Sequence, residues 1–145
     1  MKRKKHLQSA FSLIELLVVV AIIGILSSVG VISYSGYISS TKMKSAENIM
    51  SQIMLAQTEY YSDHGSYFTQ AKAKCAPDSD STTEIVSTLN VPVSADVDFN
   101  FCIHVHDTIN YSIVSLWSGA GNKYKDCEIS MNNVNNKPGR TSSCN

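Results

Sequence analysis

The stretch from Phe11 to Ser62, FSLIELLVVVAIIGILSSVGVISYSGYISSTKMKSAENIMSQIMLAQTEYYS, decides the architecture. Between Leu16 and Thr41 it carries no charged side chain, and that run exceeds the roughly 20 apolar residues needed to cross a bilayer as a helix. Past Thr41 the apolar residues continue at helical spacing. Ala46, Ile49, Met50, Ile53, Gln57, Tyr60 and Tyr61 fall on one stripe, with Lys42, Lys44, Glu47, Asn48 and Glu59 elsewhere around the wheel. One helix is therefore predicted from about Phe11 to Ser62, about 80 Å long at 1.5 Å per residue. Its first half is apolar all round and its second half apolar on one stripe, so only the second half can pack against a soluble domain. His64 and Gly65 are expected to end it, the glycine as a left-handed cap.

Outward toward the N-terminus, Lys2, Arg3, Lys4 and Lys5 precede the apolar run, and Ser28, Val29 and Gly30 supply the small residues at which a secretory signal peptide would be cut. Two features oppose that reading. The apolar stretch continues through Val31, Ile32, Tyr34 and Ile38, and an acid, Glu15, stands at its start. A carboxylate near the membrane interior costs on the order of 2.5 to 3.5 kcal/mol, less at the edge. Glu15 thus requires a compensating partner, or else a place in headgroup water.

Taken together, KRKKHLQSA followed by FSLIELLVVVAIIGIL resembles the leader of type IV pilins and of the pseudopilins of type II secretion. The order of parts carries the resemblance: a short basic leader, a small residue, Phe11, then Glu15 inside an apolar helix. The string EYYSDHGSYF, Glu59 to Phe68, resembles the helix end of many pilins. The resemblance implies that prepilin peptidase cuts between Ala10 and Phe11 and methylates the new amine, although the family usually has glycine where Ala10 stands. It also implies a structural subunit, not an enzyme. Such a subunit sits in the inner membrane with its N-terminus in the cytoplasm. It then joins other pilin subunits, as a homopolymer or a mixture with minor pilins, through an inner-membrane assembly platform. The product is an extracellular pilus, serving adhesion or motility, or a periplasmic pseudopilus. On this basis residues 1–10 are a leader, 11–40 the transmembrane and assembly half of the helix, and 41–145 a periplasmic globular domain. Cutting creates a cation on Phe11 at the depth of Glu15; pairing between the two relieves a buried carboxylate, and between subunits it sets the stagger of the helices. Many members kink this helix with proline; the matching position is Ile32, so any bend has to arise at Gly24, Gly30 or Gly36. Two alternatives stand beside the pilus subunit: a type II secretion pseudopilin, and a single-pass membrane protein with a periplasmic ligand-binding domain.

Beyond the helix, Ser81 with Glu84 reads as a capping box for a short helix to about Leu89, closed by Pro92. Alternation follows. Phe99, Phe101, Ile103 and Val105 share one parity, Tyr111, Ile113, Ser115 and Trp117 another run, and Lys125, Cys127, Ile129 and Met131 a third, separated by the turn segments DTIN and SGAGN. The fold class predicted is α+β, pilin-like: a long N-terminal helix packed by its second half on three or four antiparallel strands. NNVNNKPGRTSS, between Cys127 and Cys144, reads as a polar loop.

Four cysteines beyond an export signal point to an oxidising compartment. Three connectivities exist. Pairing Cys127 with Cys144 closes a loop that lacks its own apolar core, worth about 3 kcal/mol by chain-entropy arguments, and leaves Cys75 with Cys102. Zinc at Cys102, His104 and His106 is the weaker reading, for want of a CxxC pair and of a fourth ligand. Asp78 with Asp80 and Asp96 with Asp98 lack the spacing of an EF-hand. No cofactor or metal is expected.

Composition bounds the remaining functions. The chain has 145 residues with twelve basic and twelve acidic side chains, but four of the basic ones lie in the leader, so the rest carries a net charge of −4. Lys123, Lys125, Lys137 and Arg140, with Tyr124, form a small basic group that reads as solvated charge near turns, which argues against DNA contact. Neither a phosphate-binding glycine loop nor HExxH nor GxSxG is present, so no catalytic residues are assigned.

Overall fold

A computed structural model describes residues 11–70, 75–120 and 124–144, apart from the side chains of residues 32, 33 and 35. The leader from Met1 to Ala10 and Lys123 lie outside the described residues. The chain divides into two units, Met1–Ser39 and Ser40–Asn145. One helix, α1 (Leu13–His64, 52 residues), contributes to both.

In the first unit α1 runs unbroken through Gly24 and Gly30 to Gly36. Ser27 and Ser28 satisfy their hydroxyls inside the helix, donating to the carbonyls of Ile23 (2.7 Å) and Ile25 (2.8 Å). That is the arrangement a serine needs where water is absent.

The second unit combines the rest of α1 with α2 (Ser79–Leu89) and four strands, β1 (Phe99–Val105), β2 (Tyr111–Trp117), β3 (Glu128–Asn132) and β4 (Gly139–Arg140). The strands form one antiparallel meander in the order β1-β2-β3-β4. Register follows the alternation: Phe101 pairs with Ser115 and Ser115 with Ile129, while Ile103 pairs with Ile113 and Ile113 with Met131, and all six are buried. The helix side of the core comes from Met43, Ala46, Ile49, Met50 and Ile53. Gln57 stands in the same stripe, fully buried, and its amide bonds the backbone of Phe68 twice, Nε2 to the carbonyl and Oε1 from the amide, both at 2.9 Å. A buried amide is tolerable only when both its ends are satisfied. Tyr61, by contrast, is exposed and stacks on Tyr67.

Helix ends follow local chemistry. Gly65 adopts φ +71 and its amide bonds the carbonyl of Tyr61 at 2.8 Å, ending α1 at His64. The capping box of α2 lies one turn earlier than Ser81 and Glu84 suggest. Asp78 is the N-cap; its Oδ1 accepts from the Ser81 amide (2.7 Å) and Ser81 Oγ accepts from the Asp78 amide (2.9 Å). Aspartate caps as well as serine does, and it leaves the Ser81 hydroxyl to reach the carbonyl of Phe101 at 3.0 Å. The stop is Asn90, at φ 52, and not Pro92.

That serine belongs to a set of side chains covering the free edge of β1. Thr82 Oγ1 accepts from the Phe101 amide (2.8 Å) and Gln70 Oε1 accepts from the Ile103 amide (2.7 Å). An uncovered edge would offer those groups to another chain.

Two strand boundaries differ from the alternation pattern. β3 begins at Glu128, because Asp126 takes φ 66 and Lys125 with Asp126 belongs to a turn closed by the Cys127 amide on the carbonyl of Tyr124 (2.9 Å). The segment NNVNNKPGRTSS is not all loop: Gly139 and Arg140 pair with Ser130 and Ile129 as β4. Gly119 marks a close approach, since a Cβ there would stand 2.7 Å from the Trp117 ring and 2.8 Å from Asp98.

Candidate functional site

The first candidate site is the start of α1. Ser12 Oγ accepts the backbone amide of Glu15 at 3.3 Å and the Ser12 carbonyl accepts that of Leu16 at 3.3 Å, so Ser12 caps the helix. Phe11 is 80% exposed and the Glu15 side chain is exposed one turn further on. From Leu13 to Val31 every large apolar side chain is also exposed. The helix is long and apolar enough to cross a membrane, with a mean hydropathy of 2.7 in its most apolar window. A Cβ added to Gly24, Gly30 or Gly36 would meet nothing within 4 Å, so no contact within the described chain demands glycine there.

The second unit holds α1 to the sheet with charge as well as apolar packing. Glu47, expected on the solvated side of the wheel, is 8% exposed. Its carboxylate accepts from Lys44 Nζ at 2.9 Å and from Arg140 through Nε at 2.7 Å and Nη2 at 2.6 Å. Burial pushes the Glu47 carboxyl up, but the hydrogen bonds and charges of Lys44 and Arg140 outweigh it and hold the group below the usual range. Arg140 is thus not one of four solvated cations near turns. It spends its guanidinium on α1, where its strand, β4, carries it. Spacing alone gave no sign of this pair, because the residues are 93 positions apart. Lys42 likewise pairs with Asp98.

The cysteines form two bridges, Cys75–Cys102 and Cys127–Cys144, with Cα separations of 5.5 and 4.7 Å. Cys102 is therefore committed to sulfur. His104 and His106 stack edge to face with ring centroids 4.5 Å apart, and His106 Nε2 lies 3.0 Å from Ser112 Oγ. Among the described residues no three His, Cys, Asp or Glu side chains gather where they could hold a metal. Asp78 is engaged as the cap of α2, and Asp98 by Lys42.

Comparison with known proteins bears on both halves. Residues 5–31 match the prokaryotic N-terminal methylation motif. The type IV major pilin protein PilE1 of Neisseria gonorrhoeae is 30% identical over 114 residues, covering 77% of this chain and 69% of that protein. The chain belongs to the type IV pilin family. The pilin is also 30% identical over 113 residues to a fimbrial protein of Neisseria meningitidis serogroup A, covering 77% of the chain and 66% of that relative. With fimbrial protein EcpC of Eikenella corrodens it shares 41% identity over 61 residues, 42% of the pilin and 40% of EcpC. The matched region thus spans less than two thirds of these last two relatives. The 114 residues matched to PilE1 far outnumber those of the methylation motif, so the likeness is not to the leader alone.

Proposed function

We propose that this pilin is a structural subunit of a type IV pilus-like filament. Residues 1–10 are the leader, residues 11–40 the membrane and assembly half of α1, and residues 41–145 the globular part on the periplasmic side. Prepilin peptidase cuts between Ala10 and Phe11 and methylates the amine. The subunit waits in the inner membrane with its leader in the cytoplasm and is then taken up by the assembly platform among other pilin subunits.

One observation carries the reading: an apolar half-helix whose large side chains are left exposed by the other described residues, with one charged residue, Glu15, one turn after Phe11. Apolar helices attract each other without direction. A carboxylate among them is costly unless paired, and the amine that cleavage creates on Phe11 is the cation nearest in depth. Supplied by a neighbouring subunit, it relieves Glu15 and fixes the stagger in one contact. Gly24, Gly30 and Gly36, beside which a Cβ would meet nothing within 4 Å among the described residues, let neighbouring helices approach.

Intact-mass measurement of protein sheared from the cell surface tests this. The expected species begins at Phe11 and carries one additional methyl group. A chain that begins near Gly30, retains Met1, or stays in membranes while absent from sheared fibres overturns the reading.

A further inference from the structure

Three aliphatic side chains in the second unit are left bare among its described residues: Leu55 (73% exposed), Ile109 (63%) and Val134 (77%). They fall on two surfaces with no residue in common. Leu55 lines a groove of about 690 Å³ between the end of α1 and the end of α2, floored by Leu89 and Val91 and edged by Glu59 and Asp63. Ile109 and Val134 stand at one end of the sheet, on the turn after β1 and the loop after β3. Asn133 clamps those two turns side by side, its Nδ2 donating to the carbonyl of Ile109 (2.7 Å) and its Oδ1 accepting from the Tyr111 amide (3.0 Å). Lys137 follows in the same loop, its amide held by Asn135 Oδ1 at 3.2 Å. The neighbouring acid, Asp107, is turned inward on its own turn, accepting from the amides of Ile109 and Asn110 and from the Asn110 side chain, each at 2.8 Å.

We propose that the α1–α2 groove of one subunit receives the Ile109–Val134 knob of a second copy of this chain, with Lys137 against Glu59 and Asp63. The proposal rests on the filament reading above. Charge complementarity selects the occupant: a groove with an apolar floor and two carboxylates at its edge meets two bare aliphatic side chains whose loop also supplies an ammonium, that of Lys137. Symmetry points the same way. A groove and a knob on different faces make a heterologous contact, which builds a helical filament wherever its rotation does not close into a ring, whereas a self-complementary patch would stop at a dimer. The clamped turns keep the knob in one shape before contact, so little ordering entropy is lost when it docks. His64 also lines the groove, its ring stacked on Tyr60 at 4.0 Å and its Nδ1 3.0 Å from the Tyr60 carbonyl.

The test uses wild-type fibres. A carbodiimide joins lysine to a carboxylate only where the two are in salt-bridge contact. In fibres assembled from mixed 14N- and 15N-labelled subunits, mass spectrometry should find Lys137 joined to Glu59 or Asp63 in mixed-isotope peptides, and dispersed monomer should lack them. Lys137→Glu should lower fibre yield roughly tenfold. The combined variant Lys137→Glu, Glu59→Lys, Asp63→Lys should recover most of that loss, since a contact governed by charge sign tolerates exchange. Fibres in which Lys137 never joins those acids, or in which the groove acids join a foreign protein, overturn the docking and leave the filament reading intact. Wild-type cells that make no fibres containing this chain overturn both.

Discussion

The Arg140 guanidinium lies 2.6 Å from the carboxylate of Glu47, so a strand of two residues near the C-terminus is tied to a helix that begins near the N-terminus. Replacing Arg140 by Ala leaves Glu47 buried with Lys44 alone. The expected cost is about 1 to 3 kcal/mol, the range for a buried charged group that loses a hydrogen-bond partner, and a denaturant midpoint measures it. Glu47→Gln with Arg140 intact should cost less, because it leaves a neutral acceptor in place of an orphaned charge.

The same pair sets an acid limb. The Glu47 carboxyl is held below its usual value of 4.5 in the fold, so the unfolded chain takes up the proton first. The stabilisation is complete above about pH 4.5 and is lost as pH falls through the depressed value. Denaturant midpoints of wild type and Glu47→Gln should therefore converge between neutral pH and pH 3. A gap that stays constant over that range would show that Glu47 does not titrate through its bonds to Arg140 and Lys44.

At the alkaline end the corresponding group is Tyr111. Burial, and to a smaller extent Tyr67 beside it, pushes its phenol up to about 12 from the usual 10.0. Its hydroxyl donates to the Met54 carbonyl at 3.3 Å, on α1. The unfolded chain loses this proton first, so the contribution is whole below pH 10 and declines toward pH 12. Tyr111→Phe keeps the ring in the core and should lose less stability than wild type over that interval. Midpoints at pH 9 and 11.5 decide it, and an equal fall in both proteins would remove the assignment.

Cys127–Cys144 ties the segment after β4 to the residue before β3 across a sequence separation of 17, holding β4 at the sheet edge. Changing both cysteines to serine should cost about 3 kcal/mol by loop entropy. Because β4 carries Arg140, the loss should also shrink the effect of Arg140→Ala, and a double-mutant cycle reads that coupling. Strict additivity would mean that β4 is held without the bridge.

Glu15→Gln should leave the globular part folded and oxidised and the leader cleaved, while lowering incorporation into fibres roughly tenfold or more, the equivalent of about 1.4 kcal/mol per contact. Glu15→Asp should be intermediate, since the charge stays and its reach shortens. The relevant readouts are fibre yield and helical stagger for processed subunits only. Cleaved Glu15→Gln subunits that assemble at the wild-type rate and in the wild-type stagger would leave the carboxylate no register role.

How much was legible in advance varies with the range of the interaction that decides each feature. The helix from Leu13 to His64, the parity of Phe101, Ile103, Ile113 and Ile129, and the stop at Gly65 all follow from residues a few positions apart, where hydrophobic period and backbone freedom act within the sequence itself. The resemblance at Phe11 and Glu15 was likewise local, a fixed order of residue types along one segment. Tertiary structure alone decided that Glu47 is buried and that Arg140 faces it, because whether a charge on a helix wheel meets water or a guanidinium depends on what is laid over that face. It alone decided that Asp78 and not Ser81 caps α2, since the Ser81 hydroxyl is wanted by the edge of β1. β4 within an apparent loop has the same cause: two residues carry no alternation to detect, and they become a strand only when β3 offers its free edge and Glu47 holds the arginine in place.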